Sequence, residues 1–94
     1  MKIRWAPAAK RDRAQIFDYI AGENPEAAIS MDELFSGAVS RLVNFPFSGR
    51  RGAVAGTREI IPHESYRIVY QVDDETVSIL MIIHTARLWP PAGT

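Results

Sequence analysis

The sequence predicts an α+β fold: a helical hairpin packed on one face of a small, mostly antiparallel sheet, in the order β-α-α-β-β-β. Three observations carry this. Residues 25–45 hold a continuous apolar stripe at helical spacing. A Gly-Glu-Asn-Pro break at residues 22–25 ends one helix and starts another after a very short connection. From Thr57 onward the apolar period falls from that of a helix to that of a strand.

Each element has its own signal. Lys2 to Trp5 alternates Ile3 and Trp5 against charge, as a short strand does. Pro7 suits a first helical turn, where its missing N–H costs nothing, and residues 7–21 read as helix. Ala9, Ile16, Tyr19 and Ile20 share one face of it, with Phe17 beside them. Gly22 fits a C-terminal stop. Asn24 is a natural N-cap for the second helix, with Pro25 at its first position and Glu26 near its positive end. That helix spans about residues 25–45, with Ala28, Met31, Phe35, Ala38, Leu42 and Phe45 in one stripe and Pro46 as terminator. So short a link makes the two helices antiparallel, and Tyr19, Phe35 and Leu42 are expected to cover the sheet.

The segment FSGRRGAVAG reads as a loop. Arg58–Ile61 is a short strand, and residues 62–65 are a turn. Tyr66, Ile68, Tyr70 and Val72 then alternate with Arg67, Val69 and Gln71, which places Arg67 on the face away from the helices. Asp73-Asp74-Glu75 is a hairpin turn, and the nearly continuous apolar run Thr76–His84 is a central strand buried on both sides. Pro90-Pro91 ends regular pairing.

Composition narrows the chemistry. The 94 residues are 47% hydrophobic and 23% charged, which fits one globular domain over 1–94 with a modest core. With no cysteine and two histidines far apart, neither disulfides nor a metal site is expected, and no cofactor is implied. The apolar runs fall short of the ~20 residues that a membrane span needs. The basic N-terminus lacks an apolar segment of the secretory kind, so a cytoplasmic location away from membranes is expected. Net charge is zero, but it is unevenly laid out: +4 over residues 1–13, −5 over 14–40, +3 over 41–70 and −2 thereafter. A protein that holds RNA mainly through phosphates usually has a clear basic excess, which is absent here.

Seven segments together resemble the RelE/ParE superfamily of toxins from bacterial type II toxin–antitoxin systems. They are W-A-P-A-A at 5–9, I-F-D-Y-I-A at 16–21, N-P-E-A-A at 24–28, P-F-S-G-R-R-G at 46–52, G-T-R-E at 56–59, Y-R-I-V-Y-Q-V at 66–72 and H-T-A-R-L-W-P at 84–90. They run nearly end to end. One departure is Arg13, where an aliphatic residue is usual in the first helix; it either weakens helix packing or turns outward. The resemblance implies a toxin neutralised by a cognate antitoxin, ParD-like or similar, in a hetero-oligomer. It also implies one of two targets: DNA gyrase, blocked by contact, or mRNA, cleaved at the ribosome.

For RNA cleavage the resemblance implies Arg67 and Arg87 as phosphate ligands. Glu59 and His84 are then the proton-transfer candidates, because the reaction needs a base, an acid and cations rather than a metal. The competing reading makes Arg67 a strand arginine paired with Glu59, and His84 a strand-end cap. Arg50, Arg51 and Trp89 are candidates for target or nucleic-acid contact. Tyr19, Leu34, Phe35, Leu42, Arg41 and Arg58 are candidates for antitoxin binding, since apolar surface rimmed by charge marks a protein site. Zero net charge, a tail without a titratable side chain and the long hairpin favour the gyrase reading; mRNA cleavage is the alternative.

Overall fold

A computed structural model describes residues 1–87 and 89–90. Strand β1 (Lys2–Trp5) leads into helices α1 (Pro7–Ala21) and α2 (Pro25–Arg41), then strands β2 (Arg50–Arg51), β3 (Arg58–His63), β4 (Tyr66–Val72) and β5 (Thr76–His84). They form one sheet in the order β1-β5-β4-β3-β2, with the helical hairpin on one face. Among the described residues only the β1–β5 pair is parallel, Ile3 opposite Val77 and Trp5 opposite Ile79. The remaining pairs are antiparallel. β2 is an addition to the expected order; two arginines carry no periodicity that would reveal a strand.

Helix α1 starts at Pro7 without a side-chain cap. Gly22 follows it in a right-handed conformation (φ −59°), so the stop owes nothing to glycine's left-handed freedom. The chain turns because Asn24 and Pro25 open the next helix: the Asn24 side chain accepts a hydrogen bond from the Ala27 N–H at 3.1 Å. Helix α2 ends at Arg41, earlier than its stripe suggests. Leu42 and Val43 donate to Val39 and Ser40, a tightening of the last turn, and Pro46 disfavours helical backbone at Phe45. Phe45 therefore leaves the stripe and stands 65% exposed.

The core lies between hairpin and sheet. Ala9, Phe35, Val39 and Leu42 pack on Tyr66, Ile68, Tyr70, Val77, Ile79 and Ile82. Phe35 meets Tyr66 edge to face at 5.6 Å. Burying each large side chain of this set contributes roughly 1.5–3 kcal/mol. Tyr19 does not join them: it is 76% exposed. The buried Tyr70 hydroxyl donates to the Pro46 carbonyl and accepts from the Gly49 N–H, at 2.8 and 2.9 Å, fastening the turn after α2 to the sheet. A Cβ at Gly49 would collide with that hydroxyl.

Two polar contacts join layers. The Arg13 guanidinium holds both carboxylate oxygens of Asp32, at 2.6 and 2.9 Å, and lies 4.8 Å from the Trp5 ring centroid. It neither weakens packing nor turns away; it ties α1 to α2 and to β1. Asp12 accepts the Ile82 N–H at 3.0 Å, just past the end of β1, where that donor has no neighbouring strand.

Candidate functional site

Registry decides which side chains meet. Glu59 lies opposite Val69 on one side and Arg50 on the other, all on the face away from the helices, together with Arg67. Expected there, Arg67 is less open than alternation alone suggests: its side chain is 19% exposed, and Val69 and Ile83 on the same face are buried. Arg67 Nη1 donates to Glu59 Oε1 at 3.0 Å, the Arg50 guanidinium stands 3.6 Å from the same oxygen, and the Ala53 N–H donates to Oε2 at 3.0 Å. The Glu59 side chain is 2% exposed, against 60% for Arg50. Burial pushes the Glu59 carboxyl up. The Ala53 N–H, the charges of Arg67 and Arg50 and the Arg67 hydrogen bond outweigh that, and its pKa ends below the ordinary 4.5. Glu59 is thus a fixed anion at neutral pH, spent on two arginines and a loop amide.

His84 lies on the other face. It pairs with Tyr66, whose ring it meets edge to face at 5.3 Å. A bulge in β5 explains this: Tyr70 faces Ile79 but Val69 faces Met81, so Leu80 is the extra residue. Uninterrupted alternation from Val77 would put His84 beside Arg67; one inserted residue inverts every later side chain. His84 Nδ1 accepts from the Ala86 N–H at 3.0 Å, as His63 Nδ1 does from the Ser65 N–H at 3.1 Å. Both histidines shape turns. Arg87 is exposed in the turn after β5. With Ile16, Tyr19, Tyr66, Ile82 and His84 it lines a hollow of about 490 Å³ between α1 and the sheet. Burial, with the Tyr19 phenol beside it, raises the Tyr66 pKa above 10.0, so this hydroxyl stays protonated. The proposed proton-transfer set is therefore divided: Arg67 and Glu59 on one face, His84 and Arg87 on the other.

The other candidates separate as well. Phe35 and Leu42 are buried to 1%, so they are core residues, and the expectation that they contact an antitoxin is corrected. Tyr19 and Leu34 are exposed on the helices. Arg41 lines a groove with Leu42, Ile60 and Ile61. Arg58 donates to the Phe47 and Gly49 carbonyls, at 3.2 and 2.8 Å, and stacks 5.0 Å from the Phe47 ring centroid. Arg51 is exposed on the edge strand β2. Trp89 is half-buried; its indole N–H and the Nε of Arg67 are buried donors without a partner among the described residues. The tail beyond Pro90, like Leu88, lies outside the described residues. Sequence reasoning missed Asp12, whose carboxylate covers the β5 edge, and the exposed pair Phe45 and Phe47; two phenylalanines around a helix-breaking proline were the available signal. Among the described residues no group of acidic or histidine side chains could hold a metal ion, and no helix is long and apolar enough to cross a membrane.

Comparison with known proteins adds a second line. The family model described as "ParE toxin of type II toxin-antitoxin system, parDE" matches residues 3–89. A protein of Sinorhizobium fredii, named "Putative toxin Y4kP", is 34% identical over 90 residues, covering 95% of this chain and 93% of that one. Among solved structures, the fold is similar to a chain described as "Chromosomal ParDE TA system from P. aeruginosa", with a TM-score of 0.77 and 25% identity over 89% of this chain and 95% of that one. It is also similar to the "YoeB/ParE toxin from Agrobacterium tumefaciens", with a TM-score of 0.66 and 17% identity over 89% of this chain and 98% of that one; this second likeness speaks for the fold alone.

Proposed function

The chain belongs to the ParE toxin family of type II toxin–antitoxin systems, and we propose that it arrests growth by binding and blocking DNA gyrase until a cognate antitoxin neutralises it. The observation that carries the choice of target is the division of the proton-transfer set across the sheet. Cleavage by an adjacent 2′-hydroxyl needs a base, an acid and a cation around one phosphate. Here the acid or base nearest Arg67 is Glu59, already ionised and engaged, while the imidazole of His84 lies on the far face against Tyr66. A contact poison needs no such convergence.

The antitoxin in this reading is ParD-like and forms a hetero-oligomer with the toxin. Its apolar segment seats in the hollow beside Ile16, Tyr19 and Tyr66 and runs on towards Leu34. A segment that orders on binding suits such a groove, since it wraps a large surface while remaining separately regulated.

One observation favours mRNA cleavage: among the described residues the buried Nε of Arg67 is a donor without a partner, which a phosphate would satisfy. Purified toxin separates the two readings. In a supercoiling assay with gyrase, the expected result is inhibition that antitoxin reverses. In a purified translation system, the expected result is intact message. Cleaved message that becomes intact with Arg67→Ala would overturn the gyrase reading.

A further inference from the structure

Large apolar side chains are exposed at several places, Met1, Ile29, Val43 and Ile61 among them. Tyr19 and Leu34 stand on the helices. Phe45 and Phe47 flank Pro46 on the turn after α2, and Phe47 is 62% exposed. Beside Phe47 a hollow of about 420 Å³ opens at the β2 end of the sheet. Phe47, Val54, Ala55 and Val72 are its apolar lining, and Arg51 and Arg58 its charged lining. Among the described residues no carboxylate lines it. Arg58 is engaged with two backbone carbonyls and the Phe47 ring, whereas Arg51 has no ion pair among the described residues.

We infer that this end of the molecule, centred on Phe47 and Arg51, is a docking surface for an acidic, apolar-flanked segment of the toxin's target protein. Its make-up is that of a protein interface centre, where aromatic side chains and arginine supply most of the binding energy. Charge complementarity points to an acidic partner, since the hollow offers cationic and apolar groups and no anion. A nucleic acid is less well served. Its phosphates need a row of free cations, but only Arg51 is free in the hollow, and one face of Phe47 already carries the Arg58 guanidinium instead of awaiting a base. The antitoxin is allotted elsewhere: the hollow beside Tyr19 lies along α1 and β5, and β2 is the far edge of the sheet. The two hollows share no lining residue, so substitutions at the Phe47 end test the target surface without touching the antitoxin's contacts.

The inference rests on the reading of this toxin as one that acts by protein contact, and the experiment keeps the two apart. Phe47→Ser/Arg51→Glu is compared with the wild type for growth arrest on induction, for inhibition of purified gyrase, and for antitoxin binding and thermal melting. The expected result is at least a tenfold loss of gyrase inhibition and loss of growth arrest, with antitoxin binding and melting unchanged and Arg51→Lys behaving as wild type. Growth arrest at wild-type strength in the double variant overturns the inference, whatever the target. If the wild type leaves gyrase untouched, the gyrase reading fails by itself, and growth arrest still judges the surface. A single-stranded oligonucleotide bound by the wild type and released by the double variant would make this a nucleic-acid surface and overturn the inference. Should the double variant melt early, Val54→Ser/Arg51→Glu carries the same test, since both side chains line the hollow and lie outside the core.

Discussion

The two hydrogen-bonded arginine–carboxylate pairs among the described residues hold this protein together in different ways. Arg13 and Asp32 make the shorter contact, two hydrogen bonds at 2.6 and 2.9 Å, but their side chains are 28% and 35% exposed. Arg67 and Glu59 make a single bond at 3.0 Å, with side chains 19% and 2% exposed. Distance alone would rank the helix pair first. Burial reverses the order, because removing one partner of a buried pair strands the other charge, whereas an exposed partner returns to water. The outer pair adjusts how two helices lie together. The inner pair fixes strands β3 and β4 and the loop amide of Ala53 around one anion.

The sharpest way to break this contrast is Glu59→Ala. It leaves Arg67 without its counter-ion, and a loss of about 3–5 kcal/mol in urea unfolding is expected. Replacing both partners, Glu59→Leu with Arg67→Met, should recover most of that loss, because no buried charge is then left alone. If the double variant is as unstable as the single one, the cost is packing and not charge.

The next largest effect is on pH dependence. The Glu59 pKa in the folded chain lies below its ordinary 4.5, so the unfolded chain binds the proton more readily. Its contribution is complete above the unfolded value and is lost as pH falls through the folded one. Melting temperature should therefore drop more steeply below about pH 4.5 in the wild type than in Glu59→Gln. Parallel acid limbs in the two proteins would mean that other carboxylates set the limb.

The smallest effect belongs to the outer pair. Asp32→Ala should cost at most about 1 kcal/mol, and its difference from the wild type should shrink in 1 M salt, where the screening length falls to about 3 Å. The cost of Glu59→Ala should hardly respond to the same salt.

Most of the fold was legible because its signals are local. The stripe Ala28, Met31, Phe35, Ala38, Leu42 and the Asn24-Pro25 opening specify the hairpin, and strict alternation along Tyr66–Val72 specifies the face of Arg67. The parallel pairing of β1 with β5 was not legible, because it joins residues more than seventy positions apart and leaves no local mark. A single residue divides the candidate site between the two faces of the sheet. Alternation assigns His84 to the Arg67 face, and the bulge at Leu80 moves it to the other. Nothing about a leucine in an apolar run announces a bulge. Exposure at Tyr19 and Phe45 was missed for a related reason: periodicity tells which way a side chain points, not whether anything is there to cover it.

The Asp12 carboxylate has a consequence for how copies of this chain meet. Strand β1 stops at Trp5, so β5 runs on beyond Ile79, more than half its length, without a neighbouring strand on that side among the described residues. A bare strand edge is a template for stitching one chain to the next into aggregates. Here Asp12 already holds the Ile82 N–H, and any strand arriving at that position meets an occupied donor and a negative charge. The helix that builds the core thus also keeps the sheet from growing.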